Sequence, residues 1–132
     1  MVKYEYSESL QVLAKDVATR IFPNVKSSRI KCYKSREKSE VASKIHCLGD
    51  IMQHALGIEP FYVLEFFSQF NDLSTEEKAK AVIHKLMYIS DEFGRGFREK
   101  GFVTQEKVDG AFEIYMNCRK EDINVNFFDY EF

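Results

Sequence analysis

The chain has 132 residues, of which 45% are hydrophobic and 30% are charged, and its formal net charge is −2. This length predicts a single globular domain and excludes two full domains, while the small net charge gives no general preference for nucleic acid or membrane. The sequence contains no run of about 18 apolar residues and no apolar export signal near its N-terminus. We therefore expect a cytoplasmic protein that does not span a membrane.

The cysteine pattern agrees with that compartment. The chain has three cysteines, Cys32, Cys47 and Cys118, which is an odd number, and none of them forms a C-x-x-C pair. Such a pattern is typical of reduced thiols in an intracellular protein, and it lacks the spacing of a zinc finger. A disulfide between Cys32 and Cys47 stays open, because their two segments would be close if they formed a hairpin.

The first third of the chain predicts one helix followed by two strands. Apolar residues recur at helical spacing at Leu10, Leu13, Ala14, Val17 and Ile21. Residues 7–21 are thus predicted to form an amphipathic helix, with Ser7 or Ser9 as its N-cap. Residues 28–35 alternate between apolar and polar and predict a half-buried strand. Residues 40–47 fit either a strand or a helix, and we favour a strand that pairs with the first as a hairpin.

This predicted hairpin lies in a basic segment, which we define as residues 26–44. The segment carries seven bases, Lys26, Arg29, Lys31, Lys34, Arg36, Lys38 and Lys44, against the two acids Glu37 and Glu40. A hairpin with this excess of positive charge is able to follow a phosphate backbone, with Lys31, Lys34 and Arg36 as the contacts. Such charges more often form a solvated strand face, so nucleic-acid binding is an alternative and not our leading hypothesis.

The middle of the chain predicts a short helix and a buried strand. Residues 50–56 are predicted to be helical, and Gly57 is placed to adopt the left-handed conformation that ends a helix. Residues 61–67 are apolar at almost every position, which is typical of a strand covered on both faces. Glu65 is the exception, and we interpret it as a salt-bridged or edge-facing carboxylate, with a catalytic role as the less favoured alternative.

The clearest helix signal belongs to residues 74–90. Ser74 followed by Glu77 is a capping-box pattern that predicts the start of the helix. The core-facing residues at helical spacing are Ala79, Val82, Ile83, Leu86 and Ile89. His84 falls nearly opposite this stripe, on the side that also carries Glu77, Lys80, Ala81 and Tyr88. We therefore expect His84 to point away from the deepest packing.

A last helix and a distinct tail complete the chain. After a charged loop at residues 91–101, Thr104 is predicted to cap a helix whose inward face carries Val108, Ala111, Phe112, Tyr115 and Cys118. Residues 121–132 contain four acids, no base and several aromatic residues. Solvating these rings would be costly, so we expect the tail to dock on protein, either on its own domain as an added strand, on a second subunit of a homo-oligomer or on a partner protein. Self-association is the favoured route. The predicted organisation is one domain at residues 1–120 followed by this tail.

The helix at residues 74–90 also resembles the zinc-binding helix of a family of small metallopeptidases from archaea and from viruses of prokaryotes. Residues 82–89, VIHKLMYI, are similar to the VIHELLHI segment of that family. There, two histidines of an H-E-x-x-H motif hold Zn²⁺ and the glutamate is the general base. Residues 32–36, 55–65 and 73–78 are similar in kind and order to further parts of the family. The resemblance covers about residues 30–115.

The resemblance also implies which residues occupy the site. His84 matches the first metal ligand, while Lys85 stands at the position of the glutamate and Tyr88 at the position of the second histidine. Lys100 is aligned with the third ligand. Together with the predicted elements, the resemblance implies an α+β fold. We expect a minimal zincin-like domain, in which a small three-stranded sheet packs on a central helix with flanking helices.

The leading hypothesis is therefore a catalytically degenerate metallopeptidase-like protein that acts as a binding or structural module. It has no catalytic residue and no cofactor, and His84 is the only candidate metal ligand. The resemblance implies a viral or archaeal source, and host cytoplasm if the protein is viral. The enzyme alternative is a metal-dependent hydrolase that binds zinc through His84 and substitute ligands from Asp91, Glu92 or Glu99.

Overall fold

The computed structural model describes residues 3–120, which form an α+β domain. The strands are β1 (Tyr4–Tyr6), β2 (Ile30–Ser35), β3 (Ser43–Cys47) and β4 (Tyr62–Phe66). The α-helices are α1 (Glu8–Ile21), α2 (Asp50–Leu56), α3 (Thr75–Met87) and α4 (Gln105–Lys120). None of these described helices is long and apolar enough to cross a membrane. The predicted docking of the tail at 121–132 lies outside the described residues.

Side-chain caps begin the three long helices, as the sequence predicts. The Ser7 hydroxyl accepts a hydrogen bond from the Leu10 amide at 3.3 Å, and the Ser74 hydroxyl accepts one from the Glu77 amide at 3.1 Å. Thr104 caps α4 in the same way, at 3.2 Å from the Lys107 amide. Each cap satisfies an amide that has no partner inside its helix.

The order of the strands corrects the predicted hairpin. The sheet has four strands in the order β1-β2-β4-β3, so β4 lies between the two strands that were expected to pair. It runs parallel to β2 and antiparallel to β3. The central position buries the most apolar strand between two neighbours. The sheet also has one strand more than predicted, because β1 is short and exposed and gives no apolar pattern.

This strand order also excludes the disulfide between Cys32 and Cys47. Cys32 lies opposite Leu64 and Cys47 lies opposite Tyr62, on the two sides of β4. Two strand spacings amount to about 9.5 Å, whereas a disulfide needs Cα atoms within about 7 Å. Both thiols are free, and burial raises the pKa of Cys32 to about 12.

The three long helices cover one face of the sheet. Tyr62, Leu64 and Phe66 point from β4 into the single core, where they meet buried residues of α1, α3 and α4. The alternate residues Val63 and Glu65 point to the other side, which we call the open face. Tyr4 on that face is 49% exposed. Among residues 3–120, the long helices all pack on one side of β4, so they account for only one of the two covered faces that the sequence predicts.

The loop after α3 is held against the sheet by Tyr62. Its hydroxyl donates a hydrogen bond to the Gly96 carbonyl at 2.7 Å and accepts one from the Gly94 amide at 3.1 Å. Gly94 has a φ of 93° and lies against Pro60, so its lack of a side chain permits this close approach. The loop thus has a defined path between α3 and α4.

Candidate functional site

A cleft of about 460 Å³ lies between α3, the start of β3 and the first turns of α4. Helix α3 lines it with Glu77, Lys80, Ala81, His84 and Lys85. The first three residues share the His84 side of the helix, as the sequence predicts. The buried stripe of the same helix faces the core. His84, which the resemblance aligns with a metal ligand, therefore lies at the surface of a cleft.

His84 is half-buried in this cleft. Burial, followed by the charge of Lys85, lowers the pKa of its imidazole from the usual value of 6.5. Its ring packs edge-on against the ring of Tyr88, with centroids 5.1 Å apart. Tyr88 thus stands one helical turn after His84, at the position where a second imidazole would be needed to share a metal ion with His84.

Lys85 lines the same cleft and is also half-buried. Burial lowers the pKa of its ammonium group. The ammonium nitrogen lies 5.6 Å from the centre of the Tyr88 ring, a cation–π distance. Within residues 3–120, no carboxylate forms an ion pair with it. The cleft thus contains a partly desolvated cation without a charged partner from the described part of the chain.

Lys100 and the substitute acids are not part of this cleft. Lys100 is exposed on the turn that precedes α4. Asp91 is held by Arg98 at 2.6 Å, and Glu92 lies 3.8 Å from Arg95. The described residues that line the cleft include neither these groups nor Glu99. The structure thus brings His84, Lys85 and Tyr88 together and leaves the predicted third position apart.

Zinc does not fit the donor groups that are present. A catalytic zinc site has about three protein ligands and an open position for water. No group of three histidine, cysteine, aspartate or glutamate residues among those described is placed to hold a metal ion. His84 is a single imidazole beside an ammonium group, which repels a divalent cation.

The other wall of the cleft begins at β3, an edge strand to which no further strand of residues 3–120 pairs, and the sequence did not predict this position. The Phe67 amide donates to the Ala42 carbonyl at 2.9 Å, which makes this pair a hydrogen-bonded one. Hydrogen-bonded and non-hydrogen-bonded pairs alternate in an antiparallel ladder, so Lys44 and His46 also bond to β4. The backbone groups of Ser43, Ile45 and Cys47 consequently point outward, to the free edge.

Gln105 and Val108 of α4 complete the cleft, and sequence reasoning did not identify them either. Neither belongs to a motif. They line the same cleft as His84 and Lys85 because α4 packs beside α3. The packing of two helices that are about 20 residues apart leaves no periodic signal in the sequence, so only the residues of α3 could be predicted.

The candidate nucleic-acid contacts are dispersed. Lys31 and Lys34 are three residues apart on β2 and point to opposite faces of the sheet. Lys34 and Arg36 line one cavity, near Phe66 and Phe67, whereas Lys31 lines another, near Ile58 and Phe61. The basic segment does not form a hairpin, so these charges do not follow one line along the surface.

Comparison with known protein families gives the following result. The model of a protein family described as "putative phage metallopeptidase" matches residues 2–124. No curated protein and no solved structure matches the chain significantly.

Proposed function

Because the chain belongs to the putative phage metallopeptidase family, we propose that it is a non-catalytic relative whose cleft binds an extended segment of a partner protein. The observation that carries this proposal is Lys85, a half-buried cation in the cleft where the family resemblance places a glutamate. From the same resemblance we infer a viral or archaeal source and a place in the cytoplasm.

The loss of hydrolysis follows from the chemistry of the three positions. A metallopeptidase needs a metal-bound water and a group that accepts its proton. Burial lowers the pKa of Lys85, which would favour proton acceptance, but a base alone does not replace the metal. Tyr88 packs on His84 with its ring and offers a phenol in place of an imidazole. The proposal therefore assigns binding, and not cleavage, to this cleft.

The free edge of β3 supports binding of an extended segment. Ser43, Ile45 and Cys47 present amides and carbonyls at the periphery of the sheet that pair with no other strand of the described residues. An extended chain is able to add to such an edge as another strand, with backbone hydrogen bonds for affinity and side-chain contacts for specificity. A segment that pairs with Ser43 also lies beside the cleft, because Ser43 lines it.

The charges in the cleft favour an acidic side chain. Lys80 is already engaged, at 3.1 Å from Asp109 and 3.7 Å from Glu76. Lys85 has no such partner within residues 3–120. A carboxylate that reached Lys85 would restore the favourable interactions that burial removes from its ammonium group.

The first test measures peptide binding. Fluorescence polarisation with a library of extended heptapeptides should select sequences with a central aspartate or glutamate. Lys85→Glu should weaken the best binder by at least about tenfold, since it replaces a charge-assisted contact by repulsion. Lys15→Glu is the matched control, because Lys15 is exposed on α1 and the change in net charge is the same.

Hydrogen exchange locates the bound peptide. Binding should slow exchange at the amides of Ser43, Ile45 and Cys47, whereas Lys44 and His46 already bond to β4. A peptide with alternate N-methylated amides should lose affinity. Chelator-sensitive hydrolysis of casein by the unmodified protein, abolished by His84→Ala, would return a peptidase function to first place.

A further inference from the structure

The open face of the sheet contains a second cavity, of about 380 Å³, which lies on the side opposite the three long helices. It is lined by Tyr4, Tyr33, His46, Val63 and Glu65. Two of these residues are tyrosines, His46 adds a third aromatic ring, and Glu65 is an acid. The cavity is therefore separate from the cleft at α3 and has a different chemical character.

Glu65 is the least expected residue of this cavity. It lies on the central strand and is only 8% exposed, although it faces away from the main core. One of its carboxylate oxygens, Oε1, accepts a hydrogen bond from Nε2 of His46 at 2.8 Å. A single ring proton on His46 is enough for this bond, so the pair retains the negative charge of the carboxylate when the ring is neutral.

The lysines around this face are directed elsewhere. Lys44 lies opposite Glu65 in the ladder, but its ammonium nitrogen is 5.6 Å from the centre of the Phe67 ring. Lys3 is close enough for the charge of Glu65 to affect its pKa, and its ammonium nitrogen lies 5.7 Å from the centre of the Tyr4 ring, but the group is bound to Glu37. Lys31 lines another cavity. Among the described residues, no lysine forms an ion pair with Glu65.

We propose that this cavity binds a guanidinium or ammonium group on a side chain of a partner polypeptide. A carboxylate shielded from water attracts a cation more strongly than an exposed one, and the faces of Tyr4 and Tyr33 add favourable cation–π contacts. His46 restrains the carboxylate by holding one oxygen. A neutral or anionic group would gain neither interaction.

The exposed tyrosines around the cavity favour a basic side chain that is part of a polypeptide over a free small amine. Tyr6 lies edge-on to Tyr33, with centroids 5.8 Å apart, and is 45% exposed. Together with Tyr4 it extends the aromatic surface beyond the cavity rim. Apolar neighbours of a basic residue are able to pack on these rings, whereas a small free amine would leave them uncovered.

NMR titration tests the proposal with defined probes. The probes are N-acetyl-arginine N-methylamide and N-acetyl-lysine N-methylamide, and the neutral controls are the corresponding citrulline and Nε-acetyl-lysine compounds. The charged probes should produce saturable shifts at Tyr4, Tyr33, His46 and Val63, with dissociation constants at least about tenfold lower than those of the neutral controls. Shifts of equal size with the neutral controls would overturn the proposal.

Variants distinguish the contribution of the Glu65 carboxylate to binding from that of the surrounding rings. Glu65→Gln keeps the shape of the side chain and should weaken binding of the charged probes at least about tenfold. Glu113→Gln, an exposed change on α4, should leave it unaltered. If Glu65→Gln disturbs the fold, Tyr4→Leu provides a second variant, which removes one ring and should weaken binding severalfold. Unchanged binding in a folded Glu65→Gln protein would overturn the proposal, and so would binding of spermidine but of neither amino-acid probe.

Discussion

The imidazole of His84 meets the ring of Tyr88 edge-on, with the two planes at 90° and the centroids 5.1 Å apart. The two residues lie one helical turn apart, at the end of α3. Two imidazoles at this spacing are able to share a zinc ion, whereas an imidazole and a phenol form an aromatic contact instead. This contact leads to a prediction about metal affinity.

Combining Lys85→Glu with Tyr88→His should create a measurable zinc site. The change removes a repelling cation and supplies a second imidazole one turn from the first. We expect at least about tenfold tighter Zn²⁺ binding than in the unmodified protein, as measured by competition with a chromophoric chelator. Lys85→Glu with Tyr88→Phe is the control without the added ligand. Stoichiometric zinc in the unmodified protein would contradict the prediction.

The pKa of His84 should depend on Lys85. Burial and then the charge of Lys85 lower it below 6.5, so Lys85→Gln should raise it by removing the second cause. NMR of the imidazole protons across the pH range measures both values. An unchanged pKa in the variant would show that Lys85 does not act on the ring.

The same shift should affect stability in acid. The unfolded chain binds a proton at His84 more readily than the folded protein does, so this group's contribution is fully present above the unfolded pKa of about 6.5. It is lost as the pH falls toward the lower folded pKa. His84→Gln should flatten the loss of stability between neutral and mildly acidic pH in urea titrations. An identical pH dependence in the variant would contradict this expectation.

Gly94 and Gly96 offer a matched pair for testing the loop after α3. Both have a positive φ, 93° and 80°, so alanine at either position should cost roughly 1–2 kcal/mol of backbone strain. At Gly94 an added Cβ would also overlap the ring of Pro60, whereas at Gly96 it meets nothing. Gly94→Ala should therefore lower the free energy of unfolding by about 1–3 kcal/mol more than Gly96→Ala. Equal losses in urea denaturation would argue against the close approach.

Tyr115 connects α4 to α1 through its hydroxyl group. It donates to Asp16 at 2.6 Å and accepts from Arg119 at 3.0 Å, and the residue is fully buried. Tyr115→Phe should destabilise the protein by about 1–3 kcal/mol, because charged partners lose a buried hydrogen bond. Tyr33→Phe is the control, since its hydroxyl makes no hydrogen bond to the described residues. An equal effect of the two changes on urea denaturation would contradict this role.

Local patterns in the sequence determined the helices and where the long ones begin, whereas the helix predicted to extend to residue 90 ends at Met87. Ser7, Ser74 and Thr104 cap the long helices, and Gly57 has the predicted left-handed conformation, with a φ of 63°. These features depend on contacts within a few residues, which periodicity and capping patterns describe directly. The resemblance at residues 82–89 led to the family that the chain belongs to.

The tertiary structure alone decided the order of the strands. Alternation predicted a strand in residues 28–35, and residues 40–47 fitted a strand or a helix with a strand favoured, but neither pattern indicated that β4 would lie between them. Periodicity shows which face of a strand is buried, whereas its neighbour is chosen by contacts far apart in the chain. The edge position of β3 among the described strands and the bond from His46 to Glu65 follow from that choice, whereas Gln105 lines the cleft with His84 because α4 packs beside α3. The sequence therefore contained the residues of both sites, and only long-range packing determined which of them meet.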